Sequence, residues 1–148
     1  MTQTPDEQAN IALVRKFFEV GPSKGDLAAA DALLHPAFSL HTPLPTPGPG
    51  IAAMNNVITT CRAAFHGLHV TIDDMMADGE MVTARFTARF TARGTHNGGF
   101  MGLSPTGNAI TMTGIEIFRI EDKKIAELWG EANLMGLLQQ LGMPLGSA

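Results

Sequence analysis

Apolar positions along the first part of the chain recur at helical spacing. From Pro5 to Val20, the residues Ile11, Leu13, Val14, Phe17 and Phe18 gather on one side, with Pro5-Asp6-Glu7 as a start and Gly21-Pro22 as a stop, so an amphipathic helix is predicted. Asp26 is placed to cap a second helix over Leu27 to Leu34, whose alanines favour helix. His35-Pro36 should end it, because the residue before a proline is pushed out of the helical region. Phe38 to Thr42 alternates as a strand does, and the Pro/Gly-rich run Leu44 to Gly50 predicts a rigid loop that forms a lip. Ile51 to Phe65 carries Met54, Val57, Ile58, Cys61, Arg62 and Phe65 near a period of about 3.6, which predicts a third helix.

From residue 68 onward the period changes to two. Leu68, Val70 and Ile72 form one face of a strand, Asp78-Gly79-Glu80 a turn, and Met81 to Arg93 the next strand. In that strand Thr83-Ala84-Arg85-Phe86 recurs as Thr87-Ala88-Arg89-Phe90, and partly as Thr91-Ala92-Arg93. An even repeat length keeps Val82, Ala84, Phe86, Ala88 and Phe90 on one face and Thr83, Arg85, Thr87, Arg89 and Thr91 on the other. After a glycine-rich excursion from Gly94 to Gly107, Ala109 to Ile120 reads as a long strand, Glu121-Asp122-Lys123 as a turn and Lys124 to Ala132 as its return. A short helix over Asn133 to Leu141 closes the chain. Helices first and antiparallel strands afterward predict a single α+β domain over residues 1–148, with three N-terminal helices covering one face of a strongly curved mixed or antiparallel sheet.

Composition sharpens this picture. With 148 residues, 45% of them apolar and 16% charged, the chain has the size for one core and the apolar surplus for an internal cavity or a subunit interface. A net charge of −4 and scattered basic residues, apart from Arg85, Arg89 and Arg93, argue against nucleic acid. Those three arginines face either an anion, a partner subunit or solvent. The single cysteine, Cys61, permits no intrachain disulfide and reads as a small buried hydrophobe. The polar, acidic N-terminus and the lack of a run of about 18 apolar residues predict a cytoplasmic protein with no membrane partner. The five histidines include no His-x-x-x-His pair, no zinc-like Cys/His spacing occurs, and Gly94 to Gly107 is neither a dinucleotide nor a P-loop pattern. No cofactor and no metal are therefore expected.

Four signals follow one another in the C-terminal half: Gly94-Thr95-His96-Asn97-Gly98 with Gly102 shortly after, Pro105-Thr106-Gly107, Lys124-Ile125-Ala126-Glu127-Leu128-Trp129, and Gln140-Leu141-Gly142. As an ordered set they resemble the SnoaL-like polyketide cyclases, also called ester cyclases, over about Ile11 to Gly142. The resemblance implies the nuclear transport factor 2-like cone, a small-molecule pocket inside it, and a homodimer packed through the outer sheet face. It also implies ring closure by an intramolecular aldol reaction without metal or cofactor. The family's acid/base aspartate falls at Gly130, its glutamine at Gly114, its histidine at Glu116 and its asparagine near Leu40, while an aspartate that many relatives carry falls at Asn133. All of these positions differ, so the cyclase mechanism does not transfer residue by residue.

Strand parity suggests what stands in their place. If Gly114 and Glu116 face inward, so do Met112 and Phe118, and on the last strand Ala126, Leu128, Gly130 and Ala132 share that side. The expected substrate-binding set is Leu40, Met112, Gly114, Phe118, Leu128, Gly130 and Asn133, an apolar floor with one carboxylate, Glu116. A lone carboxyl in apolar surroundings has its pKa raised, which suits a general acid/base near neutral pH. Glu116 is thus the first catalytic candidate; the competing expectation is a structural pair with an arginine or a helix cap. His41, after a strand beside the proline lip, is a second candidate if it points into the mouth, and otherwise an exposed or packed histidine. His96 is a third, unless the glycines around it mark only a turn. Trp129 has outward parity and reads as an interface or packing residue.

The function expected is cofactor-independent acid/base chemistry, aldol cyclisation or isomerisation, on a small apolar carbonyl compound, with His41, His96 or Asn133 orienting it. Two alternatives stand beside it: a non-catalytic cone that holds an apolar ligand, and a dimeric interaction module centred on Trp129 and on the extended hairpin arm that the four-residue repeat predicts.

Overall fold

The computed structural model of the chain describes residues 2–42, 48–91 and 107–143. Most of the proline lip, the glycine-rich excursion up to residue 106, Arg93 and His96 lie outside those residues.

Helix α1, Pro5–Phe18, starts in a reciprocal cap: the Glu7 backbone N–H donates to Thr4 Oγ1 at 3.1 Å, and the Thr4 N–H donates to Glu7 Oε1 at 2.9 Å. Its buried residues are Val14, Phe17 and Phe18. The helix does not stop at Gly21-Pro22 as the sequence predicts; it widens into a π-helical turn over Glu19–Ser23 that contains Pro22. A proline has no N–H to keep the α ladder, and the wider turn accommodates it while Val20 and Gly21 stay buried.

Helix α2, Leu27–Asp31, is capped as expected, with Asp26 Oδ1 accepting from the Ala29 N–H at 3.0 Å, but it is shorter than the predicted Leu27 to Leu34. The chain is drawn into strand β1, Leu34–His41, because the Ile125 N–H donates to the Leu33 carbonyl at 2.8 Å and Lys124 Nζ donates to the Ala32 carbonyl at 2.6 Å. Pro36 is tolerated inside this strand because β1 lies at a sheet edge. Helix α3, Gly50–Ala64, buries Ala53, Met54, Ile58 and Ala64.

Strands β2 (His66–Asp78), β3 (Met81–Thr91), β4 (Ala109–Glu121) and β5 (Lys124–Ala132) complete a five-stranded mixed sheet of order β1-β5-β4-β3-β2. Only the β1–β5 pair is parallel. The β4–β5 hairpin turns through Asp122 and Lys123, whose φ angles of 53° and 61° match the primed turns that follow the natural strand twist. Bulges fall in β2 at Asp73 and in β5 at Ala126, the second leaving both Ile125 and Ala126 buried.

Helix α4, Leu134–Gln140, is tied back onto β4 by the Gln140 amide, which donates to the Thr111 carbonyl at 2.8 Å and accepts from its N–H at 3.0 Å. Gly142 follows at φ 89°, the left-handed conformation that closes a helix and that glycine adopts without strain. The Gln140-Leu141-Gly142 signal is therefore a structural closure.

The repeat in β3 behaves as its even length requires. Val82, Ala84, Phe86 and Ala88 are buried, while Arg85 and Arg89 are exposed. Arg85 finds its partner within the sheet, donating from Nε to Asp74 Oδ2 at 2.9 Å. Phe17, Phe18 and Phe118 interlock edge to face, with Phe118 ring centroids 6.2 Å from Phe17 and 5.6 Å from Phe18, and they anchor the helices on the sheet. Among the described residues, no helix is long and apolar enough to cross a membrane.

Candidate functional site

A cavity of about 130 Å³ lies between the inner sheet face and the helices. Helix α3 supplies one wall through Met54, Val57, Ile58 and Cys61; Phe18 and Leu137 close it from α1 and α4. The sheet supplies Leu40, Leu68, Val70, Phe86, Ala88, Met112, Leu128, Gly130 and Ala132, together with Glu116. This is an apolar chamber with a carboxylic acid in its wall.

Glu116 reaches the chamber because β4 alternates strictly: Ile110, Met112, Gly114, Glu116 and Phe118 point inward, and Thr111, Thr113, Ile115 and Ile117 outward. Its cross-strand neighbours are Ala84 on β3 and Gly130 on β5, two of the smallest residues. Glu116 lines the cavity, no described residue hydrogen-bonds or ion-pairs with its carboxyl group, and burial pushes it up to about 8 from an ordinary 4.5. The expectation of a structural pair with an arginine is not met: Arg85 engages Asp74, and Arg119 engages Glu127 and Glu121. At neutral pH the carboxyl is mainly protonated, a hydrogen-bond donor that becomes a base on losing its proton. Among the described residues, Cys61 is a second ionisable side chain facing the chamber, its thiol pushed up to about 11 by burial, so it is inert as a nucleophile. Glu131 borders the chamber, but its side chain is exposed.

The structure separates the sequence-derived candidates into groups. Leu40, Met112, Leu128 and Gly130 line the chamber with Glu116. Phe118 has the expected inward parity but is fully buried under Phe17 and Phe18, so it belongs to the core and not to the cavity wall. Gly114 also points inward, but the Phe86 ring lies against it. Asn133 is the cap of α4, its Oδ1 accepting from the Gly136 N–H at 2.9 Å, and it is not part of the lining. His96 lies outside the described residues.

His41 is placed on the opposite face from the one a role at the mouth requires. Leu40 points inward, so its neighbour points outward, where His41 Nε2 hydrogen-bonds Glu127 Oε2 at 2.7 Å and its ring stacks on Trp129 with centroids 5.3 Å apart. The His41 bond, together with Arg119, holds the Glu127 carboxyl below its usual range against the opposing effect of desolvation. The expected substrate-binding set contains no α3 residue, yet Met54, Val57, Ile58 and Cys61 share one helical face and form a wall of the chamber.

Comparison with known proteins agrees with this architecture. The family model described as SnoaL-like polyketide cyclase matches residues 12–141. Among solved structures, TsrD from Streptomyces laurentii is 29% identical with a TM-score of 0.80, covering 93% of this chain and 98% of its own. AclR from Streptomyces galilaeus, described as a candidate hydroxylase, is 25% identical with a TM-score of 0.79, covering 96% of this chain and 86% of its own. IdmH from Streptomyces antibioticus, described as a candidate polyketide cyclase, is 26% identical with a TM-score of 0.77 over 90% of this chain and 98% of its own. No curated protein sequence gives a significant match.

Proposed function

The chain belongs to the SnoaL-like polyketide cyclase family, and from that premise we propose that its cavity binds a small, largely apolar carbonyl compound and moves a proton on it through Glu116. The observation that carries this reading is the raised, unpartnered carboxyl of Glu116 in an otherwise apolar chamber. In its ionised form Glu116 removes a proton from the carbon beside the carbonyl, leaving an enolate. The protonated carboxyl then returns that proton to another carbon in an isomerisation, or to the carbonyl oxygen that becomes the hydroxyl in an aldol closure. One group gives back what it takes, so the cycle needs no net acid or base.

Turnover of polyketide-like esters by the wild type and by Glu116→Gln tests the reading. A loss of about 100-fold or more in kcat is expected for the variant. Equal rates would remove Glu116 from the mechanism, and an apolar molecule that co-purifies without being turned over would favour a binding protein instead.

A second copy of the chain is the proposed partner, docked on the outer sheet face. That face carries a cross-strand row of Met76, Thr83, Ile117, Trp129 and His41 spanning all five strands. Ile117 in this row is 38% exposed and Ile115 beside it 51%, an apolar strip flanked by the exposed charges Arg89 and Glu131. Two-fold contact would cover the isoleucines and bring charges of opposite sign together.

A further inference from the structure

Two inward glycines stand near Glu116, and their surroundings differ. A Cβ added at Gly114 would meet the Phe86 ring, with Cε1 at 2.6 Å, and the Glu131 carbonyl oxygen at 2.9 Å, so packing demands glycine there. A Cβ at Gly130 would meet Glu116 Oε1 at 3.5 Å, Glu116 Cγ at 3.6 Å and Leu128 Cδ2 at 3.6 Å, all ordinary contact distances. Gly130 is not among the residues with positive φ, so its backbone does not demand glycine either. Glycine weakens a strand, and here neither packing nor conformation requires it. What its missing side chain leaves is a recess one methyl group deep in the cavity wall, in contact with Glu116 Oε1 and directly across the ladder from it.

We propose that Gly130 is a specificity-determining residue: the space above it seats the carbonyl oxygen of an uncharged ligand, a ketone or an ester, against Glu116 Oε1, and free carboxylic acids are rejected. The inference rests on the cavity and the acid/base role of Glu116 argued above. The charge selectivity has its own cause. Among the described residues lining the cavity there is no Lys, Arg or His, so a ligand carboxylate seated beside Glu116 would be buried with no balancing cation. A carbonyl oxygen needs only a donor, which the protonated Glu116 carboxyl is.

Acetophenone, benzoate and ethylbenzene share one ring and differ at the group that would occupy this seat. Calorimetric titration of each at neutral pH into the wild type and into Gly130→Ala is the test, with a thermal melt of both proteins. The wild type should bind acetophenone about tenfold more tightly than ethylbenzene, the gain of one hydrogen bond, and benzoate at least tenfold more weakly than either. Gly130→Ala should melt no lower than the wild type and bind acetophenone no better than ethylbenzene. Retention of the ketone preference in Gly130→Ala would overturn the role of Gly130 while leaving that of Glu116 intact. A wild type that binds none of the three would overturn the cavity reading and this inference with it.

Discussion

Phe86 occupies the space that a side chain on Gly114 would need. The two are cross-strand partners on β3 and β4, and the ring is itself buried against Phe18, with centroids 5.7 Å apart. A Cβ on Gly114 would also meet the Glu131 carbonyl oxygen at 2.9 Å, so Gly114→Ala forces the Phe86 ring toward the chamber it lines or β4 to shift. A loss of about 1–3 kcal/mol in urea denaturation is expected. Unchanged stability would mean that the ring can leave this position at no cost.

Glu116 makes the stability of the fold depend on pH with a definite sign. Its carboxyl holds a proton up to about 8 in the folded chain against 4.5 ordinarily, so between those values the folded protein binds a proton that the unfolded chain has released. The contribution is fully present below 4.5 and is lost as pH rises through about 8. Glu116→Gln removes it. Denaturation midpoints of the variant and the wild type should therefore diverge in the variant's favour as pH is raised across that window, and parallel curves would contradict the assignment.

Much of this arrangement was legible in the sequence, for a physical reason. Alternation along β4 and β5 groups Met112 with Glu116 and Leu128 with Gly130, and the family's site positions, which fall at Gly114, Glu116 and Gly130, indicate which side of each strand faces inward. The same rule places His41 outward once Leu40 is inward, where it bonds Glu127 and does not line the chamber. What local pattern does not encode is contact between distant elements. The capture of Leu34 by β5 shortens α2, and the Phe86 ring takes the space at Gly114, and neither follows from neighbours in sequence. Phe118 illustrates the limit of parity, which says that a residue faces inward but not whether it meets a cavity or the rings of Phe17 and Phe18.

Cys61 reports on the cavity independently of any substrate. With its thiol pushed up to about 11, very little thiolate exists near neutral pH, and the side chain faces the chamber rather than solvent. Iodoacetamide at pH 8 should alkylate it about 100-fold or more slowly than a free cysteine, and an apolar ligand in the chamber should slow it further. Reaction at the rate of a free thiol would show that α3 does not seal this wall.

Ile117 lies at the centre of the outer row, beside Trp129 and Thr83. Placing a charge there as Ile117→Asp puts like charges against one another across a two-fold contact, so light scattering should find a dimer for the wild type and a monomer for the variant, with unchanged far-UV circular dichroism. A monomeric wild type would remove the outer face as a self-association surface.

The most direct measurement is a carbon-13 NMR titration of the Glu116 side-chain carboxyl, assigned by its disappearance in Glu116→Gln. A midpoint near 8 is expected for an unpartnered acid buried in an apolar chamber, whereas a midpoint near 4.5 would show a solvated or paired carboxylate and contradict its role as the acid/base of the cavity.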